Sequence, residues 1–270
     1  MRFPLATFSI AAVVVAAYFF LSGGNFYIAE GELRATALRL SAQPLGVVTH
    51  LFTHVGIMHL LGNLVPLAAF GWVAETRLRS GDVFTIFLCA GMVSAALFSI
   101  FNPSVLLVGA SAGVTALMAA AVVARPRLAV VALAAVPLAL AFLFFPLAAY
   151  AAETREAELK STQQGLQANY SQLVAQNRTE EAAQVNATMT QVNKTLTVAV
   201  EGKEREKKTP TDFSVHVYGG LFGVLYVFFV RPKDFRRGIQ DFEELGRGIV
   251  AAANFFGRRG SRNKKRRRQK

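Results

Sequence analysis

Six stretches of about 20 mostly apolar residues constrain what this chain can fold into: residues 4–21, 55–73, 83–101, 105–124, 128–150 and 213–230. That is the length a helix needs to cross the hydrocarbon core of a bilayer, where every backbone polar group must be satisfied within the segment. The charge content agrees, since 17% of the 270 residues are charged and 53% are hydrophobic, whereas soluble domains carry about a quarter charged residues. An ordinary soluble enzyme is therefore excluded. The expected class is an all-α polytopic membrane protein with six transmembrane helices and both termini on one side. The first run reads as a span and not as a secretory signal, because Leu21-Ser22-Gly23-Gly24 is a poor cleavage site.

A formal charge of +12 invites a nucleic-acid partner, but its distribution argues otherwise. Residues 231–270 hold 14 Lys+Arg and 4 Asp+Glu, and residues 152–212 hold 8 and 9. The excess is a tail, so no nucleic acid is expected. Basic residues in short flanks mark the cytoplasmic side of a membrane protein. Arg2, Arg77, Arg79, Arg125, Arg127 and the tail all fall on one side, with Arg34 and Arg39 as minor contrary votes. Both termini are thus expected in the cytoplasm.

Residues 151–210 are polar and nearly neutral, and parity places them outside the cytoplasm. They carry four Asn-x-Ser/Thr sequons, at Asn169, Asn177, Asn186 and Asn193, which are candidate glycosylation sites and would imply a cell or secretory-pathway membrane. Near-helical spacing of Leu159, Leu166, Tyr170 and Leu173, then Val185, Met189, Val192 and Leu196, predicts two helices in a hairpin. Its position above residue 216 suggests a lid or client-docking arm; a tolerated surface insertion bearing glycans is the alternative. The expected organisation is a core of residues 1–150, this insertion over 151–210, a last span over 211–232 and a cytoplasmic tail over 233–270. In the tail Phe235, Ile239, Phe242, Leu245, Ile249 and Phe256 recur at three- and four-residue steps. This predicts an amphipathic helix whose basic end meets anionic headgroups at about 1 kcal/mol per cation, or else a solvated tail that only fixes topology. The single cysteine, Cys89, permits no intrachain disulfide.

Polar groups inside spans are costly and are default candidates for function. The chain has four histidines. His50, His54 and His59 lead into the second run with Asn63 one turn later, His216 opens the sixth, and the fourth contains Gly109-Ala110-Ser111-Ala112-Gly113. Even-numbered runs all start on the outer face, so these residues share one leaflet. At 1.5 Å per residue, Ser111 is expected on the order of 10 Å below the start of its run. A serine hydroxyl needs a base, and histidine is the usual one; His59 and Asn63, four apart, could donate to an oxyanion. Gly109 and Gly113 on one helix and Gly219 and Gly223 on another have the small-residue spacing for close approach. Asp212 could orient His216, although a solvated residue at the membrane mouth is the plainer reading.

These residues resemble the rhomboid family of intramembrane serine proteases. His54, His59 and Asn63 match its H-x4-H-x3-N signature; the likeness continues through Glu75-Thr76-Arg77-Leu78 and Gly81, Gly109-Ala110-Ser111 resembles the nucleophile motif, and His216, Gly219 and Gly223 resemble the sixth-helix motif. The resemblance covers residues 1–150 and 211–232. It implies a six-helix core, nucleophilic attack by Ser111 with His216 as base, an oxyanion held by His59, Asn63 and the Ser111 N–H, with His54 in support. It also implies transmembrane segments of other proteins as substrates, and no cofactor or metal. Three departures stand out: Ala112 replaces the glycine that usually follows the nucleophile, Thr115 stands where an aromatic often lies, and the usually short loop after the fifth helix is the long insertion. The alternatives are a non-catalytic relative that binds or retains membrane clients, metal binding by His50, His54 and His59, which no HExxH supports, and a transporter, for which no internal repeat is visible.

Overall fold

The computed structural model describes residues 3–39, 42–208 and 213–267, the last helix beyond residue 250 by its backbone alone. The described chain is helical, with isolated β-bridges but no strand. The helices are α1 (Leu5–Ser22), α2 (Glu30–Thr36), α3 (Gly46–Thr49), α4 (Ile57–Glu75), α5 (Ser80–Phe101), α6 (Ser111–Ala124), α7 (Pro126–Ala139), α8 (Phe145–Ala175), α9 (Thr179–Lys208), α10 (Phe213–Val230) and α11 (Pro232–Arg267). Among the described residues, five helical stretches are long and apolar enough to cross a membrane: α1, α4, α5, α10 and the continuous stretch Pro126–Ala175. Large apolar side chains such as Phe20, Phe142 and Phe229 face outward, an arrangement costly in water and natural in lipid. The protein is an all-α integral membrane protein in contact with the bilayer.

The fourth apolar run departs from expectation. Instead of a span over residues 105–124, it forms a non-helical approach and a 14-residue helix, α6, about 21 Å long and shorter than the hydrocarbon core is thick. Asn102-Pro103 stops α5, because proline disfavours helix in the residue before it. The approach survives because other protein backbone satisfies it. Leu38 and Leu107 exchange N–H···O bonds of 2.9 and 3.1 Å, and the Gly109 N–H donates to the His50 oxygen at 2.8 Å. The helix itself sits in the middle of the bundle among α4, α5 and α10, with Ala112, Ala116, Leu117, Ala120, Ala121 and Ala124 buried.

The boundary expected at residue 150 is not a break either. Helix runs from Pro126 to Ala175 through a five-residue π-turn at Leu140–Phe144. Pro146 follows it, and its missing N–H and bulky ring disfavour regular α-geometry one turn upstream. Helices α8 and α9 then lie antiparallel, closed at Asn177 with φ 55° and tied by Gln163 to Asn193 at 2.9 Å and Lys203 to Glu156 at 3.3 Å.

At the end opposite the site described below, Arg231 pairs with Asp82 at 2.5 Å and Asp234 at 2.8 Å. Arg77 reaches Asp241 at 3.0 Å, and the same guanidinium donates to the Ala124 carbonyl at the end of α6. Helix α11 lies across the ends of α6 and α7, with Phe235 packed against the core. The side chains of Ile249, Phe256 and the terminal basic run lie outside the described residues, as does Asp212.

Candidate active site

The N-terminal ends of α4, α6 and α10 open on one cavity of about 540 Å³ whose polar lining includes His59, Asn63, Ser111, Glu206 and His216. Apolar walls come from Val55, Met58, Phe98, Leu106, Leu107 and Val215. Ser111 is the first residue of α6, not a residue buried 10 Å along a span. Position and chemistry go together here, because the first N–H groups of a helix lack intrahelical partners and point outward. The Ser111 N–H and hydroxyl therefore stand together at a helix end.

The turn before Ser111 depends on Gly109. Its φ is +107°, a conformation side chains resist, and a Cβ there would come 2.7 Å from His59 Nε2. The histidine-rich segment holds this turn from the other side. His50 Nδ1 donates to the Gly46 oxygen at 2.7 Å while its own carbonyl receives the Gly109 N–H, and His54 Nε2 accepts the Ala110 N–H at 3.4 Å. The His54 and His59 rings meet edge to face with centroids 5.1 Å apart. Asn63 Nδ2 donates one hydrogen to the His59 oxygen at 2.8 Å, which leaves its second amide hydrogen for the cavity. Thr115 bonds back to the Ser111 oxygen at 2.8 Å and so faces its own helix.

The expected glycine pairing needs correction. Gly219 and Gly223 do lie at a close approach of α10 to α6, but they face Ala112 and Ala116, where added Cβ atoms would stand 2.3 and 2.1 Å from backbone oxygens. Gly113 instead faces α5, with a Cβ position 2.6 Å from the Phe87 oxygen, and Gly109 faces His59. Gly219 and Gly223 thus serve the approach of α10 to α6, Gly113 that of α5, and Gly109 that of His59. The physical reason is rotation: the 100° step per residue puts Ala112 and Ala116 on one stripe and Gly113 on the next.

Glu206, on the insertion, was not foreseen. Its carboxylate accepts the His59 N–H at 2.7 Å. Burial pushes this carboxyl above its ordinary value of 4.5, and the nearby backbone N–H groups of His59 and Met58 pull it part of the way back. In sequence it lies in the run Lys203-Glu204-Arg205-Glu206-Lys207-Lys208, which looks like any solvated charged helix end. Among the described residues no group of three His, Cys, Asp or Glu side chains is placed to hold a metal. Chemically, the cavity offers a hydroxyl, imidazoles, the amide of Asn63 and the N–H at the start of α6.

Residues 41–155 match the family model described as Rhomboid domain. No curated protein and no solved structure gives a significant match.

Proposed function

We propose, from the premise that this chain belongs to the rhomboid family of membrane proteins, that it is an intramembrane serine endopeptidase acting on transmembrane segments of other proteins. The observation that carries this reading is that Ser111 and His216, from different helices, line one cavity together with His59 and Asn63. In the proposed reaction the Ser111 hydroxyl attacks the scissile carbonyl as His216 takes its proton. The tetrahedral oxyanion is met by the Ser111 N–H, His59 and the spare Asn63 hydrogen, donors already held at the wall of one cavity. His216 then returns the proton to the leaving amine, and a water entering through the cavity hydrolyses the acyl-enzyme by the reverse roles.

Both termini and the basic tail are assigned to the cytoplasm and the cavity and insertion to the outer side. Support comes from Arg77, Arg125, Arg127 and Arg231 clustering at the end opposite Ser111. A serine-directed fluorophosphonate tests the nucleophile cheaply. Labelling of the wild type that is lost in Ser111→Ala and reduced in His216→Ala is expected. A folded protein that resists labelling and retains bound membrane clients would favour a non-catalytic client binder.

A further inference from the structure

We infer that Glu206 is a positioning residue: from the insertion it caps the helix that carries His59 and Asn63 and so holds the oxyanion side of the cavity in register. The inference rests on the protease reading, but its geometry stands on its own.

The first turn of α4 has no cap from its own sequence, since Gly56 at the N-cap has no side chain to offer. Three of its first four N–H groups nevertheless find partners. Ile57 donates to the Phe26 oxygen at 3.1 Å, Leu60 to the Gly56 oxygen at 3.0 Å, and His59 to Glu206 Oε1 at 2.7 Å. A carboxylate at a helix N-terminus also meets the positive end of the helix dipole. The role of Gly56 is to leave space: a Cβ there would lie 2.8 Å from Glu206 Cδ and 2.7 Å from Tyr27.

The rest of the insertion's base is docked around this contact. Gly202 sits against Tyr27, where a Cβ would come within 2.3 Å of the tyrosine Cβ. Arg205 donates to the Ile28 oxygen at 3.2 Å and pairs with Glu30 at 3.5 Å. One acceptor on the insertion, 147 residues from its donor in sequence, thus completes the local structure of His59. Without Glu206, the His59 N–H at the cavity wall loses its acceptor. The first turn of α4 then frays, and the His59 ring drifts from the place where the oxyanion forms. Interactions realised only in the transition state act on kcat and leave KM.

The test uses full-length protein with Glu206→Ala and Glu206→Gln, measuring reporter cleavage, and amide hydrogen exchange at Met58 and His59 in a Ser111→Ala background where no cleavage complicates the reading. Glu206→Ala is expected to lower kcat on the order of tenfold with KM within about twofold, and to speed exchange at both amides. Glu206→Gln, which keeps an acceptor oxygen, is expected to restore most of both. Unchanged exchange and unchanged or faster cleavage in Glu206→Ala would overturn the inference, the faster rate marking the insertion as a plug. So would a Gln variant as impaired as Ala. If the wild type neither cleaves nor takes the fluorophosphonate, the protease reading fails, and the exchange measurement still decides the cap.

Discussion

Gly219 on α10 stands against the backbone carbonyl of Ala112 on α6, close enough that a methyl group added at Gly219 would lie 2.3 Å from that oxygen. Backbone cannot yield as a flexible side chain can. Gly219→Ala and Gly223→Ala are therefore expected to push the two helices apart, at a cost of about 1–3 kcal/mol each for overpacking. His216 shares α10 with both glycines, so it moves away from Ser111. Thermal unfolding in detergent and the fluorophosphonate labelling rate should fall together in both variants. Full stability with full labelling would mean that the close approach is dispensable.

Glu75 anchors the far end of the core. Its carboxylate accepts the Ala6 N–H at 3.1 Å, the Thr7 N–H at 2.9 Å, the Thr7 hydroxyl at 2.5 Å and the Ser80 hydroxyl at 2.7 Å. It caps α1, whose N-cap Pro4 offers no side-chain acceptor. Glu75→Ala leaves buried donors unpaired at about 1–3 kcal/mol. A lowered unfolding temperature with little change in labelling rate per folded molecule is the expected result, because Ser111 lies at the other end of the bundle.

Docking of the insertion should depend on pH through Glu206. The folded-state carboxyl is raised above 4.5 by burial, so its protonated form is favoured in the docked state. That contribution is complete below 4.5 and is lost as pH rises through the raised value. Hydrogen exchange at the base of α9, followed across this window, should show protection falling with rising pH in the wild type relative to Glu206→Gln. The ionisable groups around the contact, Tyr27, Glu30, Glu153, Glu156, Lys203 and Arg205, are the same in both proteins and so cancel in the comparison. Protection that rises with pH in the wild type relative to Glu206→Gln would contradict the sign.

The four sequons are not equivalent once folded. Asn177 is exposed at the hairpin turn, and Asn169 and Asn186 are exposed on helix faces, whereas Asn193 is partly buried and accepts a hydrogen bond from Gln163 at 2.9 Å. In a glycosylating host, Asn177 should be occupied most fully and Asn193 least. Gel shifts of single Asn→Gln variants measure this. Occupancy at Asn193 with none at Asn177 would count against the hairpin or its outer location.

Apolar length located α1, α4, α5 and α10 to within three residues at each end, because the hydrocarbon core imposes the run directly. It misjudged residues 105–110, since Val105, Leu106, Leu107 and Val108 are apolar both as a span and as the cavity wall they form. Hydropathy does not distinguish the two. The histidines, Asn63, Ser111 and the glycines were legible as a group because polar or small residues are conspicuous in such runs. Which glycine faces which helix was not, because that depends on rotation about each axis. Glu206 was invisible for a different reason: its donor, the His59 N–H, is a backbone group far off in sequence, and no side-chain pattern records it.

The most direct measurement is cleavage of a reporter transmembrane segment by purified wild type, Ser111→Ala and His216→Ala in lipid vesicles. The account predicts cleavage by the wild type and a loss of at least about a thousandfold in each variant. Cleavage persisting in both variants would contradict the Ser111 and His216 dyad.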